Sequence, residues 1–387
     1  MNPKLMISEK SATPKFETSS SDGLLNLTQL DQRLFKQYGF GLKTKPIFNL
    51  IHHAFEYQLH QNPNNIAIID ANAQKTTYSD LNKQANQLAA ILQKANVSSG
   101  DGVCLFLRRS TEMVIGILAC LKLGAYYIPQ DMLVCPDKQR AQVAQISNSK
   151  IILTTRQYAE DIELTADQQH LKDSNIELFT PAYASLSPEN TAVVIFTSGT
   201  TGTPNGVRVT HANLCNILLT APGNMGIKPG IKVAQILNIA FDMAVWEILG
   251  CLGNGGTLMI RGKSYQKIAE QVDVIISTPS ILLTIDASKC QHIKTVAVAG
   301  EPCPQPLAQQ WGSVCNFYNS CGPTETTIIN TAIRYWPNEP IVSIGIPTPN
   351  NNVYILDSNL EPCRIGQVGE MWAGGDCVTA GYLNNNE

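Results

Sequence analysis

The chain has 387 residues, a formal net charge of −3, and a composition that is 44% hydrophobic and 15% charged. That length predicts two or three packed units, and the composition excludes a disordered chain. Because no long basic run occurs, we expect neither nucleic acid nor an anionic membrane as a main partner. The longest apolar stretches, such as 113–121, are far too short to span a bilayer.

The 11 cysteines are scattered and include no C-x-x-C pair. We therefore expect neither a metal cluster nor a disulfide framework, and we predict a reducing, cytoplasmic compartment. The polar N-terminus lacks the apolar run of a signal peptide.

Residues 1–45 are predicted to be an N-terminal extension or linker. Its first part, 1–23, is polar, and leucines at helical spacing predict a short helix over 24–38. Gly39 and Gly41 follow, which suits a helix end.

From residue 46 the predicted elements alternate between strands and helices. Helices are predicted at 78–94, with Ser79 as a plausible N-cap, and at 111–123, ending at Gly124. Strands are predicted at 66–70, 103–107, 151–154, 193–196, 233–237, 272–276 and 295–299. This order predicts an α/β fold of layered βαβ sheets with helices, which we divide into units 46–190 and 191–340.

The pattern of predicted secondary structure changes after about residue 341. Short predicted strands at 341–346, 352–356 and 369–373 are separated by Pro, Gly and Asn turns. We predict a small antiparallel unit, a distorted β-barrel portion, over 341–387.

The segment FTSGTTGTPNGV at 196–207 directly follows a predicted strand and precedes a predicted helix at 211–219. Its glycines let the backbone approach a ligand closely, and its hydroxyls and N–H groups can surround a polyphosphate. Ligand sites of α/β proteins lie at the carboxyl ends of strands, so we predict a phosphate loop rather than a flexible surface loop. The Walker A pattern is absent from this segment.

Six segments in order resemble the core motifs of adenylate-forming enzymes: acyl-CoA synthetases, luciferases and the adenylation domains of nonribosomal peptide synthetases. They are TYSDL at 77–81, LKLGAYYIP at 121–129, the segment at 196–207, FDMAVWE at 241–247, NSCGPTE at 319–325, and GEMWAGG at 369–375 with GYL at 381–383. The resemblance covers residues 46–387 and is most specific for the N-terminal core of a peptide synthetase adenylation domain.

The resemblance implies that ATP and Mg²⁺ bind here, with Thr324 contacting phosphate and Glu325 holding the metal as the catalytic pair. From the residues alone, a carboxylate after a turn suits Mg²⁺, and a solvated surface pair is the alternative. The nucleotide residues implied by the resemblance are Thr197, Ser198, Gly199, Thr200, Thr201, Gly202, Asn205, Gly300, Glu301, Pro302, Asn319, Ser320 and Cys321.

Asp242 lies among apolar residues after a predicted strand. A carboxylate is costly to bury unless a charge pairs with it, and the ammonium of an amino acid is a suitable partner. A helix N-cap is an equally good interpretation of the residue itself. In peptide synthetases the matching aspartate holds the α-amino group, so the resemblance implies an α-amino acid rather than a fatty or aryl acid.

Setting the motifs in register implies further pocket residues, which are almost all apolar. They are Met243, Trp246, Ile276, Ala297, Ala299, Ser320, Gly322, Ile328 and Ile329. Their character predicts a substrate with an uncharged, mainly apolar side chain, and each is also consistent with ordinary core.

Two residues depart from the family pattern. Asn205 stands where the phosphate loop usually has lysine, and it supplies no positive charge for pyrophosphate. Cys321 stands where most relatives have a tyrosine that stacks on adenine, and it offers less contact area. We therefore expect weaker handling of nucleotide.

The family continues beyond this chain with a ribose-binding aspartate and a small C-terminal subdomain that carries a catalytic lysine. The expectation from the resemblance is a fragment that binds substrates but is catalytically incomplete. The expected reaction is ATP-dependent formation of aminoacyl-AMP, followed by transfer to the phosphopantetheine thiol of a carrier-protein domain that works with other synthetase domains. The alternatives are an acyl-CoA synthetase or aryl acid ligase, and a degenerate, non-catalytic adenylation domain.

Overall fold

The structure is a computed structural model, and it describes residues 24, 26–155, 186–198 and 203–384. Its named strands form three sheets of nine, five and two strands. The helices are α1 Gln29–Tyr38, α2 Ile51–Gln61, α3 Tyr78–Lys94, α4 Thr111–Leu123, α5 Asp137–Ile146, α6 His211–Leu218, α7 Asp242–Gly253, α8 Tyr265–Ala269, α9 Pro279–Leu282 and α10 Gln305–Gly312. The strands are β1 Ile66–Ile69, β2 Lys75–Thr77, β3 Gly102–Leu107, β4 Tyr126–Asp131, β5 Ile151–Leu153, β6 Thr191–Thr197, β7 Asn205–Thr210, β8 Lys232–Gln235, β9 Thr257–Ile260, β10 Val274–Ser277, β11 Thr295–Val298, β12 Asn316–Cys321, β13 Thr331–Tyr335, β14 Ile346–Pro347, β15 Asn351–Leu356 and β16 Glu370–Gly375.

The five-stranded sheet has the order β5-β3-β4-β6-β7. Strands β3 to β6 are parallel, and every residue of β3 is buried, as its continuous apolar sequence predicts. Strand β7 runs antiparallel to β6 and closes a hairpin with it.

The nine-stranded sheet has the order β14-β13-β12-β11-β10-β8-β9-β1-β2. Its central strands, from β9 across to β12, are parallel, and β13 returns antiparallel beside β12. All residues of β10 and β11 are buried. The predicted α/β class with layered βαβ units is confirmed.

The C-terminal region contains the third sheet, the antiparallel pair β15 and β16. The predicted small antiparallel unit is therefore confirmed, but the predicted strand at 341–346 was wrong. Only Ile346–Pro347 is a strand, and it pairs with β13 in the large sheet. Gly345 has a φ of +94°, a left-handed conformation that interrupts an extended strand.

The segment after α1 docks against this antiparallel pair. The ring of Phe40 meets that of Tyr354 edge to face at 6.0 Å, and the Gly41 N–H donates to the Asn351 carbonyl at 2.8 Å. Strands β6 and β7, which follow residue 190, pair with the sheet that precedes it. The boundaries at 45, 190 and 340 stay predictions.

Helix ends follow local chemistry. The N-cap of α3 is Thr77, whose hydroxyl accepts from the Asp80 N–H, so the expectation of Ser79 as the cap was wrong. Helix α4 starts after Ser110, which caps Met113, and ends as predicted at Gly124. Among the described residues, no helix is long and apolar enough to cross a bilayer.

Candidate active site

The turns that follow β8, β10, β11 and β12 lie at one edge of the nine-stranded sheet. These strands are parallel neighbours, so their carboxyl ends meet there. Asp242 follows β8, Gly300 follows β11, and Thr324 follows β12. The topology thus gathers residues that are far apart in the sequence.

Asp242 is the first residue of α7, after the N-cap Phe241. Phe241 makes no side-chain capping bond, so the alternative of Asp242 as an N-cap was wrong. The Thr324 hydroxyl hydrogen-bonds the Asp242 carboxylate. Burial raises the pKa of Asp242 to about 6, and the nearby Glu325 adds to this, while the bond from Thr324 opposes it. Such a carboxylate is poised to accept a cation.

The turn after β12 is tight and carries Thr324 and Glu325 in a short 3-10 helix. A Cβ on Gly322 would lie 2.6 Å from the Ile329 Cα, so only glycine fits there. Ile328 has a φ of +69°, a left-handed conformation that is strained for a β-branched residue. Strain of this kind, of order 1–3 kcal/mol, tends to cluster at functional sites.

The predicted pocket residues of the large sheet share one face. Ile276, Ala297 and Tyr318 pair in register across β10, β11 and β12. Because side chains alternate along a strand, Ala299 and Ser320, two residues further on, face the same side. The hydroxyl of Ser320 is buried without a hydrogen-bond partner among the described residues. Ala297, Ala299 and Ser320 therefore share this face with the larger Ile276 and Tyr318.

Two predicted pocket residues of α7 are also buried. The indole N–H of Trp246 donates to the Gly223 carbonyl at 2.6 Å, which leaves its ring as an apolar wall. The position that a Cβ would take on Gly300 lies 3.7 Å from the Met243 sulfur. Met243, the residue after Asp242, therefore lies close to the predicted adenine turn at Gly300.

A buried carboxylate holds the turn that leads to Asp242. Glu247, with no exposed surface, accepts the N–H of Ile236 at 2.9 Å and of Leu237 at 3.2 Å. Burial raises the pKa of Glu247 to about 8, while those bonds and Arg109 pull it back down. Sequence reasoning gave Glu247 no role, although a charged residue in the middle of an apolar helix is a recognisable signal.

The predicted phosphate loop lies in the hairpin between β6 and β7. Thr197 pairs with Asn205, and both Ser198 and Asn205 are exposed. The predicted residues Gly199, Thr200, Thr201 and Gly202 lie outside the described residues.

The helix predicted at 211–219 is present as α6, and the strand β7, which was not predicted, lies between the loop and this helix. Val207 and Val209 of β7 are buried and alternate with the less buried Arg208. That period of two is typical of a strand.

The remaining predicted nucleotide residues differ in their exposure and in their hydrogen-bond partners. Glu301 is exposed, and its carboxylate accepts from the Ser280 N–H at 3.0 Å, next to the exposed Gly300 and Pro302. The side-chain amide of Asn319 donates a hydrogen bond to the Ser343 carbonyl at 2.8 Å. Burial raises the pKa of the half-buried Cys321 thiol.

Glu325 fits a Mg²⁺ ion that is shared with a nucleotide. The Tyr382 hydroxyl donates to its Oε1 at 2.7 Å, and Oε2 accepts no hydrogen bond from the described residues. No group of three or more His, Cys, Asp or Glu side chains suited to a metal occurs in the described ranges. A single carboxylate is still sufficient, because Mg²⁺ keeps waters and takes oxygens from substrate phosphates. Sequence reasoning gave Tyr382 no role.

A family model described as AMP-binding enzyme matches residues 55–383. The chain belongs to this family. This AMP-binding enzyme is 45% identical over 374 residues to adenylate-forming reductase 06235 of Coprinopsis cinerea, which covers 94% of the chain and 36% of that relative. It is 30% identical over 354 residues to gramicidin S synthase 1 of Brevibacillus brevis, which covers 87% of the chain and 32% of that relative. The chain thus spans about a third of the length of each of these two relatives.

Solved structures share the fold of this AMP-binding enzyme. The nonribosomal peptide synthetase FmoA3 has a TM-score of 0.83 at 22% identity, covering 93% of this chain and 41% of the other. The N-terminal subdomain of Klebsiella oxytoca NpsA, in complex with 3-hydroxyanthranilyl-AMSN, has a TM-score of 0.74 at 22% identity, covering 88% of this chain and 90% of the other.

Proposed function

We propose that this AMP-binding enzyme joins a carboxylic acid to the α-phosphate of ATP, with release of pyrophosphate, and that the acid is an α-amino acid. Membership of an adenylate-forming family supports the first part. The observation that carries the second part is Asp242, a half-buried carboxylate beside Thr324 at the carboxyl edge of the sheet.

The amino-acid assignment follows from the cost of burying a charge. An ionised carboxylate that is partly withdrawn from water is stabilised by an opposite charge, and the substrate ammonium supplies one. Thr324 hydrogen-bonds Asp242 and is next in sequence to Glu325, so the ammonium and the phosphates would lie at the two sides of one turn. Bringing the carboxylate oxygen and the α-phosphorus together in this way is the positioning that catalysis requires.

The nucleotide end relies on Glu325 and on the hairpin loop. Glu325 would hold Mg²⁺, which supplies positive charge to the phosphate oxygens when it is bound. Thr197 and Ser198 would donate hydrogen bonds to phosphate oxygens. These donors act best where they are held in place before the reaction.

The side-chain pocket supports a small or medium substrate that is mainly apolar. Ala297 and Ala299 are small, and Trp246 adds a buried apolar ring. The buried hydroxyl of Ser320 sharpens the expectation, because an unpaired polar group of this kind costs about 1–3 kcal/mol. A substrate with one hydrogen-bonding group near its tip would satisfy Ser320.

The product of the whole protein is a second question. One candidate is transfer of the aminoacyl group to the phosphopantetheine thiol of a carrier domain in a peptide synthetase. The other is suggested by the relative named adenylate-forming reductase: transfer to a thiol, followed by hydride reduction to an aldehyde. Product analysis of the full-length polypeptide, with ATP, the acid and a nicotinamide hydride donor, separates an aldehyde from a peptide.

The adenylation step is tested by ATP–pyrophosphate exchange with matched pairs of acids. Each pair consists of an amino acid and the same acid without its α-amino group, such as leucine and 4-methylpentanoate. We expect exchange with one or more amino acids and at least 100-fold less with the partner acid, in line with the 3–5 kcal/mol lost when one member of a buried pair is removed.

The Asp242→Ala variant is the matched control. It should lose exchange with the amino acid and keep whatever exchange the partner acid supports. Equal exchange with both members of every pair would exclude the amino-acid assignment. No exchange with any acid, measured on the full-length polypeptide, would exclude adenylation itself.

A further inference from the structure

Residues 376–384, here called the C-terminal strap, run alongside the strand that follows the phosphate loop. The strap adds backbone hydrogen bonds to β7 beyond its pairing with β6. These bonds join the Ala380 N–H to the Arg208 carbonyl at 2.9 Å, the Arg208 N–H to the Gly381 carbonyl at 2.9 Å, and the Leu383 N–H to the Gly206 carbonyl at 2.6 Å. The strap is therefore fixed to the five-stranded sheet.

The same strap also holds the turn after β12 in the nine-stranded sheet. The Thr379 N–H donates to the Glu325 carbonyl at 3.0 Å. The Thr327 hydroxyl, which is fully buried, donates to the Cys377 carbonyl at 2.6 Å. The strap thus links the phosphate hairpin of one sheet to the catalytic turn of the other.

Tyr382 is where the two attachments meet. Its backbone forms a β-bridge with Val207, and its hydroxyl donates to Glu325 Oε1 at 2.7 Å. We propose that Tyr382 is a positioning residue, which holds the Glu325 carboxylate so that Oε2 faces a Mg²⁺ ion bound with the nucleotide. This inference rests on the proposed function.

The physical reason lies in the freedom of the glutamate side chain. Glu325 is only half-buried, so without a partner its carboxylate would sample several rotamers. A neutral hydroxyl donor restricts that motion without cancelling the negative charge that attracts the metal. Hydrogen bonds to metal-holding carboxylates typically change metal affinity by about 10- to 100-fold. The backbone bridge to Val207 further ties the orientation of Glu325 to the position of the phosphate hairpin.

The experiment measures metal binding and does not depend on turnover. Mn²⁺ in place of Mg²⁺, with a nonhydrolysable ATP analogue, is titrated into the full-length polypeptide and followed by electron paramagnetic resonance. For Tyr382→Phe we expect about tenfold weaker Mn²⁺ binding, because the ring and the strap backbone are retained and only the hydroxyl is lost. The KM for the amino acid should stay within twofold.

Tyr335→Phe is the matched control, because the Tyr335 hydroxyl donates to Gln309 at 3.1 Å, away from Glu325. It should leave Mn²⁺ affinity unchanged. In the Glu325→Gln background, Tyr382→Phe should have no further effect on Mn²⁺ binding, since the carboxylate is already gone. The double variant also identifies a purely structural loss. Such a loss would weaken the binding of both Mn²⁺ and the amino acid, with or without the Glu325 carboxylate.

The outcomes separate the two proposals. Unchanged Mn²⁺ affinity in Tyr382→Phe, with a wild-type protein that binds the metal and nucleotide, overturns the role of Tyr382 alone. A wild-type protein that binds neither metal nor nucleotide overturns the proposed function and this inference with it. An equal loss of metal affinity and amino-acid affinity assigns Tyr382 a structural role only.

Discussion

The predicted site has an acid end around Asp242 and a phosphate end around Asn205 and Glu325, and the two ends are built in different ways. At the acid end, Ala297 and Trp246 are buried on a regular strand and a regular helix. At the phosphate end, Asn205 is exposed in a hairpin, and Glu325 is held by the C-terminal strap. The acid end therefore lies within packed strands and a helix, while the phosphate end combines an exposed hairpin residue with a carboxylate that the C-terminal strap holds.

We infer from this difference that the acid end selects the substrate acid, while the phosphate end admits ATP and releases pyrophosphate. A pocket within a packed core resists change in shape, so it can discriminate between acids by a few atoms. Exposed hairpin residues such as Asn205 can adjust as ATP enters and pyrophosphate leaves. Three changes sharpen the contrast, in order of expected effect.

The largest effect should come from removing the buried carboxylate behind the acid end. Glu247→Leu leaves the N–H groups of Ile236 and Leu237 without an acceptor. We expect a loss of about 3 kcal/mol in the free energy of unfolding, since each buried unpaired group costs about 1–3 kcal/mol. Urea unfolding followed by circular dichroism measures it.

Glu247→Gln is the control for that change, because one amide oxygen can still accept both N–H groups. It should cost about 1 kcal/mol or less, the scale of a single ordinary hydrogen bond. Equal losses for the two variants would mean that the hydrogen bonds to Ile236 and Leu237 are not what Glu247 contributes to stability.

The same contrast explains how far the sequence predicted the molecule. The strands at 103–107 and 295–299 were predicted close to their observed bounds, because a continuous apolar run has few alternatives to a covered parallel strand. Strand β7 was missed because its start lies within a glycine-rich motif whose resemblance suggested a loop. The strand at 341–346 was overpredicted because apolar residues there are exposed, Ile341 by 72%, and Gly345 turns the chain.

For the site, local patterns identified residues but not their partners. Asp242 and Thr324 were both predicted, yet their hydrogen bond depends on two strands meeting at one sheet edge. Tyr382 lies within a recognised motif but was given no role, because its contact with Glu325 spans 57 residues of sequence. Pairings of this kind come from topology, and a single sequence carries no local signal for them.

The second prediction is a pH dependence confined to the acid end. Because burial raises the pKa of Asp242 to about 6, the carboxylate is ionised at pH 7.5 and protonated at pH 5. Only the ionised form attracts an ammonium. The apparent affinity for the amino acid should therefore fall as pH drops through about 6, approaching tenfold per pH unit below it. The KM for the amino acid in pyrophosphate exchange, from pH 5 to pH 8, measures it.

The matched acid without an α-amino group checks the origin of that dependence. Its KM should not follow the same curve, and Asp242→Asn should give a weak but pH-independent KM for the amino acid. A parallel fall for both acids would assign the titration to another group and weaken the case for Asp242.

The smallest effect should come from the phosphate hairpin. Asn205→Lys adds a positive charge at an exposed position opposite Thr197, close to where the loop would contact phosphates. Exposed charge pairs contribute about 0.2–1 kcal/mol, so we expect about 1.4- to fivefold tighter binding of a nonhydrolysable ATP analogue by calorimetry. The gain should shrink as salt rises, because the added charge is screened.

Asn359→Lys places the same charge in an exposed turn of the C-terminal unit and should leave nucleotide binding unchanged. If both lysines tighten binding equally, the gain comes from net charge, and Asn205 then has no specific place in the phosphate site. If Asn205→Lys alone tightens binding by far more than fivefold, the hairpin is more enclosed around the nucleotide than its exposed strand suggests, and the contrast between the two ends of the site narrows.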